Sequence, residues 1–569
     1  MVAEAGQNHP PELSYQMEDG LDISERATTE AATSDPLQDE DSPADHQSKR
    51  RIAIVMAALS LCVFLAALDI TIVSTALPKI VAQFKASDSA YSWIASSYLL
   101  ANASFVPLWG RLSDIWGRKL ILTTSVVLFI CGSLMCGVAR NVTTVIAGRA
   151  IQGVGSGGII VLANLCVSDL FNVRRRSAYL GIFGATWAIA GAVGPIIGGA
   201  FTTYSTWRWC FYINLPIGGI SLLSLLFFLK IDNNLKSIVE GLRAIDWIGL
   251  VLIVGATLMF LLGLEFGGSE YPWASATVIC LIIFGIVTAI IFGLNEWKVA
   301  PTPIIPISIF SNWYNFTVLV INFCHGMVFI GACFYLPVYF QNVLLATSLM
   351  SGVYLLPLVV ALSISSGAAG FYMRTTGRSR EVIILGMFLT TLGHGLYIDL
   401  KPYACWSRII IYQIIAGLGI GPNFQATLIA LQANTKPSEL ARGTATFSFV
   451  RQIAASVSVV AGSVVYGHIV STKVELMAKV LGQRIATEIA VASTAAAGII
   501  ESLPGGEDRQ FVFNVLTDAL TYVWILYTAI AGFGFLISLT LKDLRLGDVN
   551  RQESTEVEKG EGHIRSTGG

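Results

Sequence analysis

The sequence is poor in charged residues and carries no strong excess of either sign. Only 13% of its 569 residues are Asp, Glu, Lys or Arg, which is about half of the share in an average soluble domain. The formal net charge of −1 argues against the broad basic surface with which proteins bind nucleic acid. Because hydrophobic residues make up 54% of the chain, the composition indicates a protein surrounded by a lipid bilayer.

The signatures of enzymes and metal proteins are also missing from the sequence. The nine cysteines have no metal-like or redox spacing, and all but Cys405 fall in apolar runs. They therefore read as packing residues rather than as a disulfide framework. No Walker pattern for ATP is present, so ATP is not the expected energy source. We expect no catalytic site, no metal site and no cofactor.

What the sequence does contain is an internal repeat, with three pairs of motifs about 260 residues apart. The paired positions are Gly110, Asp114, Gly117 and Arg118 with Gly370, Arg374, Gly377 and Arg378; Gly153, Gly155 and Gly157 with Gly417, Gly419 and Gly421; and Leu77-Pro78 with Leu336-Pro337. A long apolar chain built twice is typical of a secondary transporter, whose substrate site lies between the two halves.

The apolar runs predict an all-α membrane protein with about fourteen spans, each needing roughly 20 apolar residues. The expected regions are a disordered tail at 1–51, a six-helix bundle at 52–229, two inserted helices with linkers at 230–313, a second six-helix bundle at 314–541 and a disordered tail at 542–569. The second bundle includes a long outer loop at 471–517, with an amphipathic helix near 473–490. Two six-helix bundles separated by an inserted pair explain the repeat offset.

Orientation follows from the loops. Arg and Lys are concentrated in the loops after even-numbered spans, for example at Arg118 and Arg175, which places both termini in the cytosol. The N-terminal tail has no hydrophobic core for a signal peptide, so the first membrane helix should act as the insertion signal.

Charges inside the apolar spans are the candidate functional residues, because a charge in the bilayer is costly. Asp69 in the first span and Arg149 in the fourth lie at similar distances from the outer ends of their helices. We expect them to approach each other near a central cavity, where Asp69 gains and loses a proton while Arg149 adjusts its proton affinity. The alternative is a permanent structural ion pair. Asp69 corresponds to Val328 in the second half and Arg149 to Gln413, so only the first half carries these charges, which favours proton handling.

Other polar residues in the spans are harder to assign. Gln152, Gln413 and Arg451 are candidate cavity residues, although Arg451 could equally be a packing residue. Glu265 lies near a span end and suits an interfacial position. The histidines in apolar spans are more typical of hydrogen-bonded packing residues than of proton carriers: His325, His394 and His468.

Glycines mark close helix contacts in the fourth and fifth spans. In the fifth span these are Gly191, Gly194, Gly198 and Gly199, with Pro195 among them. Small residues let membrane helices approach closely, and proline bends a helix. Simple packing explains this pattern; a bend that blocks proton leakage or serves as a pivot is the functional alternative.

The segment from Gly110 to Lys119 predicts a tight, charged cytosolic turn. Its Asp114 and Arg118 can hold neighbouring helix ends, including Asp169 at the end of the fourth span, when the cytosolic side is closed. A turn that served only to keep positive charge inside would need the cations but not Asp114, Gly110 or Gly117. We therefore favour a cytosolic latch.

These motifs together resemble the major facilitator superfamily and, within it, the fungal fourteen-spanner drug:proton antiporters. Gly110–Lys119 is similar to the superfamily's loop signature, Arg149–Gly155 to the span-four signature whose arginine is implicated in proton transfer, and Gly194–Gly199 to the antiporter signature of span five. Leu68–Pro78 and Trp207–Pro216 are similar to hallmarks of the multidrug and fourteen-spanner branches. The sequence departs from the pattern at Ala190, where glycine is usual, and at Arg374, where an acid is usual.

The resemblance implies a major facilitator fold and a proton-coupled exporter working by alternating access. Its substrates would be small, largely apolar compounds such as drugs, toxins or secondary metabolites, and its other partners protons and the lipid bilayer. We expect a monomer in the plasma membrane, with the vacuolar membrane as the alternative. A proton-coupled importer of a small nutrient or iron chelate on the same fold is the competing interpretation.

Overall fold

The computed structural model describes residues 43–84, 88–231, 237–243, 245–268, 270–491, 494, 496–503 and 505–543. The predicted disorder of the two tails therefore falls almost entirely outside the described residues. From Ile54 onward the chain forms one compact unit.

The described part of the chain is built from helices. The long ones are α1 (Pro43–Phe84), α2 (Asp88–Trp116), α3 (Arg118–Gly137), α4 (Val142–Leu170), α5 (Val173–Tyr204), α6 (Asn214–Phe228), α7 (Trp247–Phe266), α8 (Ala276–Lys298), α9 (Trp313–Val338), α10 (Leu356–Thr376), α11 (Arg380–Tyr397), α12 (Trp406–Ala433), α13 (Leu440–Thr472) and α14 (Glu507–Ser538). Shorter helices are Trp209–Tyr212, Ile238–Arg243, Ser308–Ser311, Ser348–Tyr354, Val474–Leu481, Gln483–Val491 and Ala497–Ser502, with a π-helical turn at Tyr339–Val343 and a 3₁₀ turn at Pro437–Glu439. This architecture confirms the predicted all-α fold.

Among the described residues, twelve helices are long and apolar enough to cross a membrane. Helices α2 and α11 do not belong to these twelve. Polar residues such as Asn102 interrupt the apolar run of α2, and α11 has only 18 residues, beginning with Arg380 and Glu381. The predicted number of fourteen spans therefore remains a prediction.

Several helix ends are marked either by a side chain that caps the free backbone N–H groups or by a glycine with a positive φ angle. A lipid-embedded helix must satisfy its backbone groups internally, so its ends need capping. Asn141 and Asp246 accept hydrogen bonds from the backbone N–H groups at the starts of α4 and α7. Gly117 and Gly377 adopt φ angles of 83° and 69°, a region that favours glycine. These two glycines end α2 and α10 and occupy equivalent places in the repeat.

The packing arranges most of the long helices in two groups, α1–α6 and α9–α14. In the first group α4 packs against α2 and α3, and in the second α12 packs against α10 and α11. The two groups meet where α2 contacts α13 and α5 contacts α10. Helices α7 and α8 form a pair, and α7 contacts both α2 and α13. This arrangement leaves a space between the groups.

The segment between α13 and α14 differs from its prediction in one detail. The single amphipathic helix expected near 473–490 is divided into Val474–Leu481 and Gln483–Val491, because Gly482 has a φ of 85°. Both short helices still bury apolar side chains, such as Met477 and Ile489, in the core of the second group.

Candidate functional site

Asp69 of α1 and Arg149 of α4 form a buried ion pair. Arg149 Nη1 contacts Asp69 Oδ2 directly. Asp69 is 0% exposed and Arg149 is 2% exposed, so water cannot screen the two charges. Each charge is therefore balanced by the other inside the first helix group.

The second carboxylate oxygen of Asp69 is held by two amide side chains. Gln152 Nε2 and Asn214 Nδ2 each donate to Asp69 Oδ1 at 3.0 Å. The same two amides donate to Ser133 Oγ, at 2.7 and 3.2 Å. The carboxylate oxygen that Arg149 does not contact in the ion pair is therefore held by hydrogen bonds from neutral donors.

Arg149 is also satisfied beyond the carboxylate. Its Nε donates to the backbone oxygen of Ile94 at 3.1 Å, and Nη1 donates to Gln152 Oε1 at 3.1 Å. The guanidinium carbon lies 4.3 Å from the centre of the Tyr98 ring, within the range of a cation–π interaction. Tyr98 thus covers the ion pair on the side of α2.

Tyr98 begins a chain of polar contacts that leaves the ion pair. Its hydroxyl lies 2.6 Å from Ser156 Oγ, and Asn102 Nδ2 donates to the same Ser156 oxygen at 3.3 Å. Gln452 Nε2 of α13 then donates to Asn102 Oδ1 at 2.6 Å. The chain therefore runs from the ion pair to the second helix group.

Asn102 and Gln452 lie on the wall of a central cavity between the two groups. Its wall is mainly aromatic and aliphatic, with several amides and a single charged residue. The lining residues are Val63, Asn102, Val106, Ile160, Asn164, Phe183, Trp187, Gly326, Phe329, Ile330, Phe424, Gln425, Leu428, Phe447, Ser448, Arg451, Gln452 and Ala455. A cavity lined in this way is typical of a site for a small apolar molecule.

One of the three residues that the sequence placed at the cavity lines it in the structure, and the other two do not. Arg451 lines the central cavity, whereas Gln152 and Gln413 do not. Gln152 points into the first group and binds Asp69, and Gln413 is buried and donates to the backbone oxygen of Ile409 at 3.1 Å. Asp69 does not line the central cavity either, because Tyr98 and Ser156 lie between them.

A smaller cavity reaches Arg149 from another direction. It lies between α1 and α2. Ile70, Leu77 and Leu99 contribute apolar walls, and Tyr98 and Arg149 its polar end.

The loop predicted as a latch makes the contacts expected of it. Arg118 Nε donates to Asp169 Oδ2 at 3.0 Å, and Arg118 Nη1 donates to Asp114 Oδ1 at 2.8 Å. Gly117 turns the chain between α2 and α3. A Cβ on Gly110 would lie 2.6 Å from the Cβ of Ala445, so this glycine permits close contact with α13. Whether the contacts open and close during transport stays a prediction.

The second copy of the loop is built differently. Arg378 pairs with Glu381 at 2.8 Å, and this hydrogen bond raises the pKa of Arg378. Arg374, at the position of Asp114, is exposed. Gly370 keeps the packing role, since its Cβ would lie 2.6 Å from the backbone oxygen of Ser177. The second loop therefore repeats the close helix contact at its first glycine, but it has an arginine where the first loop has Asp114.

Contacts between the groups close the end of the protein that carries both loops. Gln432 Oε1 accepts from Ser168 Oγ at 3.0 Å and from Arg176 Nη1 at 3.1 Å. Ser177 Oγ donates to the backbone oxygen of Gly370 at 3.0 Å. Gly110, packed against α13, adds a further contact between the groups at this end. These contacts hold the two groups together at this end of the described protein.

The glycines of α5 have unequal roles. A Cβ on Gly194 would overlap Thr71 Oγ1 of α1 and lie 2.8 Å from Thr71 Cβ, whereas one on Gly191 would meet nothing within 4 Å. Pro195 lies near Gly352 of the second group, and the nearest atom to a Cβ on Gly199 would be Leu349 Cδ1 at 3.8 Å. Gly198 is buried. Gly194 thus packs directly against the helix that carries Asp69.

The sequence did not identify Asn214 as a partner of Asp69, or Ser133 as the acceptor shared by Asn214 and Gln152. Asn214 belongs to the Trp207–Pro216 hallmark, so a signal for it was present, but that signal did not say which side chain Asn214 contacts. Ser133 lies in an ordinary apolar run of α3, and nothing in its sequence surroundings distinguishes it.

Comparison with known proteins gives a consistent family. The family model described as Major Facilitator Superfamily matches residues 59–459. The efflux pump dotC of Dothistroma septosporum is 47% identical over 521 residues, covering 91% of this chain and 89% of that protein. The MFS-type transporter ppz2 of Metarhizium majus is 43% identical, covering 90% and 88%. The efflux pump FUS6 of Gibberella moniliformis is 33% identical, covering 94% and 95%.

A solved structure agrees on the fold. The human organic anion transporter MFSD10 (TETRAN) matches with a TM-score of 0.56 and 13% identity, covering 88% of this chain and 100% of its own. With the family match over most of the helical region, the conclusion is that this chain belongs to the major facilitator superfamily, in the family of fungal efflux pumps, and is a multi-pass membrane transporter that exports compounds.

Proposed function

We propose that this transporter is an antiporter that couples inward movement of protons to export of small, largely apolar compounds. The observation that carries the proposal is the buried pair Asp69–Arg149, connected through side chains to a cavity between the two helix groups. An ion pair and a cavity that share one polar chain can be coupled, because a change at one alters the hydrogen bonds available to the other.

The proton acts on Asp69. Protonation removes the negative charge that balances Arg149 and weakens the hydrogen bonds from Gln152 and Asn214. Leaving one partner of a buried ion pair uncompensated typically costs about 3–5 kcal/mol. That amount is enough to change which arrangement of α1 and α4 is the more stable.

The chain of Tyr98, Ser156, Asn102 and Gln452 offers the route from this change to the cavity. If Arg149 shifts when Asp69 is neutral, the Tyr98 ring beneath it must shift too, since the two are 4.3 Å apart. The Tyr98 hydroxyl then alters its contact with Ser156, and with it the position of Asn102. Because Gln452 belongs to α13, the contact between the helix groups responds.

The cavity wall supports a broad range of apolar substrates. Aromatic side chains such as Phe183, Trp187 and Phe329 supply most of the contact surface. Binding to such walls depends on buried apolar area more than on directional bonds. We therefore expect several chemically different compounds to compete for one site.

The closed end that carries the two loops is cytosolic in this proposal. The contacts of Gln432, Gly110 and Gly370 would then open to admit substrate from the cytosol and close when the other side opens. A proton entering through 100 mV releases about 2.3 kcal/mol, which drives each cycle. We propose a monomer in the plasma membrane. The export direction is supported by the efflux pump names of two relatives.

The test uses the purified full-length protein in liposomes with an acidic interior. An antiporter accumulates a fluorescent apolar compound inside as protons leave, whereas a proton-coupled importer needs an alkaline interior. We expect accumulation by the wild type, together with an internal pH rise on addition of the compound. No accumulation under an acidic interior, or accumulation only under an alkaline one, would contradict antiport.

Asp69→Asn separates proton handling from a structural ion pair. This variant should lose accumulation driven by the pH gradient but keep exchange of labelled for unlabelled compound, which needs no proton. Asp518→Asn is the matched control, because Asp518 is half exposed and lies 3.6 Å from Lys473; it should behave as the wild type. Gradient-driven transport that survives Asp69→Asn would exclude the proton role, and loss of exchange as well would indicate the structural alternative.

A further inference from the structure

We propose that the central cavity binds an aromatic molecule carrying an anionic group, and that Arg451 is the residue that holds this group. The inference rests on the proposed export function and specifies the substrate class. It starts from the charge balance of the cavity wall, where Arg451 is the single charged residue among those that line the cavity.

Arg451 has only neutral partners among the residues that the structure describes. Its Nε donates to Asn322 Oδ1 at 3.0 Å, and its Nη1 and Nη2 each donate to the backbone oxygen of Phe424 at 3.1 Å. No carboxylate in the described ranges lies within ion-pairing distance of it. A guanidinium has five N–H donors, so these three bonds leave two donors for another molecule.

A second interior arginine, Arg149, shows how such a charge is balanced elsewhere in this protein. Arg149 is buried in the first group and is balanced by Asp69. Arg451 lies about 17 Å along α13 from Leu440, at 1.5 Å per residue, well inside the apolar span. An unbalanced charge there is costly, and an anionic ligand would supply the balance.

The surroundings of Arg451 also specify the shape of the ligand. The guanidinium carbon lies 4.8 Å from the ring centre of Phe424 and 4.9 Å from that of Phe447. Phe329 and Trp187 extend this aromatic surface, with ring centres 5.1 and 6.2 Å from Phe424. Flat aromatic rings pack well against such side chains. The anionic group would lie at the guanidinium and the rings along the aromatic wall.

A purely structural role for Arg451 makes a different prediction. Its bonds to Asn322 of α9 and Phe424 of α12 join three helices, and an arginine serving only that purpose would not distinguish charged from neutral ligands. The test therefore measures ligand charge preference rather than activity alone.

The experiment measures equilibrium binding to the full-length protein in the neutral detergent dodecyl maltoside at neutral pH. The probes are pyrene-1-carboxylate and its neutral analogue pyrene-1-carboxamide, followed by fluorescence anisotropy with empty micelles as the blank. The wild type should bind the acid at least about tenfold more tightly than the amide, the factor expected for hydrogen bonds to a charged group. Because no proton gradient is present, this binding result does not depend on whether transport is coupled to protons.

Arg451→Gln should reduce the affinity for the acid about tenfold and leave the amide within about threefold. Arg451→Lys keeps the charge and should retain a preference for the acid. Arg484→Gln, which removes an arginine whose side chain is 90% exposed, is the control for losing one positive charge. Thermal unfolding of each variant reports whether it is folded.

Several outcomes overturn the proposal. These are equal binding of acid and amide by the wild type, no measurable binding of either, or an equal loss of both in a folded Arg451→Gln protein. Should Arg451→Gln fail to fold, competition on the wild type decides. Pyrene-1-sulfonate should displace the acid, and displacement by the cation pyrene-1-methylammonium with equal strength would contradict an anion site.

Discussion

Arg149 and Arg451 are interior arginines in the two helix groups, and their surroundings differ. Arg149 is balanced by Asp69, covered by Tyr98 on the side of α2 and kept away from the central cavity. Arg451 faces the cavity, and its polar and ring partners among the described residues are a backbone carbonyl, an amide and two aromatic rings. The repeat therefore duplicated the scaffold without duplicating the charge balance. In the first group the counter-charge of Arg149 comes from Asp69 of the protein itself. In the second group the proposed counter-charge of Arg451 comes from a bound molecule.

The largest effect should come from removing Arg149. Arg149→Gln leaves the buried Asp69 without its counter-charge, which should destabilise the protein by about 3–5 kcal/mol. Asp69→Asn combined with Arg149→Gln should recover part of this loss, because no unpaired charge remains. Thermal unfolding in detergent measures both. If Arg149→Gln were as stable as the wild type, Asp69 would not depend on Arg149, and the contrast with Arg451 would disappear.

The next effect concerns the glycine that brings α5 against the helix of Asp69. Gly194→Ala should destabilise by about 1–3 kcal/mol, since its Cβ would overlap Thr71 and crowding a packed interface has a cost of this order. Gly191→Ala is the matched control on the same helix and should stay within about 0.5 kcal/mol of the wild type. Thermal unfolding compares the two, and equal losses would show that the contact with α1 does not determine the difference.

A smaller effect is expected from Tyr98→Phe, which keeps the ring over Arg149 and removes the hydroxyl that contacts Ser156. Loss of one buried hydrogen bond is worth about 1 kcal/mol. Gradient-driven transport should therefore fall about fivefold, while equilibrium binding of the substrate stays unchanged. Liposome transport and binding assays make this comparison. Transport as fast as the wild type would remove the proposed link between the ion pair and Arg451's cavity.

The smallest effect should distinguish the two loop copies. Asp169→Asn removes a partner of Arg118 and should destabilise by about 0.2–1 kcal/mol, the usual range for a partly exposed ion pair. It should also slow transport, because the pair holds the closed end. Glu381→Gln in the second copy breaks the exposed pair with Arg378 and should alter transport less. Equal slowing by both would mean that the copies share one role.

The sequence was sufficient for the fold class and for part of the site, and the number of spans stays a prediction. Apolar runs, the repeat and the charged loop predicted the helical fold, and similar depths suggested that Asp69 and Arg149 approach each other; the structure places them in contact. Depth along a helix can be read from sequence because the rise per residue is fixed. What each residue does in transport stays a prediction.

Rotation about the helix axis could not be read in the same way. Gln152 was expected at the cavity but points to Asp69, and Gln413 also points into its own group. Ser133 and Asn214 escaped notice because a polar residue in an apolar run acquires its partner only when several helices are assembled. The division of the outer helix at Gly482 depends on a single φ angle, which composition does not reveal.

The inserted pair α7–α8 has a consequence for how the two groups can separate. Helix α7 contacts α2 and α13 together, and Leu261 and Ile453 belong to one apolar cluster that joins them. Ser96 of α2 also bonds to Glu265 of α7, and the contact with α2 is the more extensive. When the two groups move apart, α7 and α8 should move together with the first group, and α7 should slide over α13. The two helices would then limit the rate of each transport cycle without contacting the substrate in the central cavity.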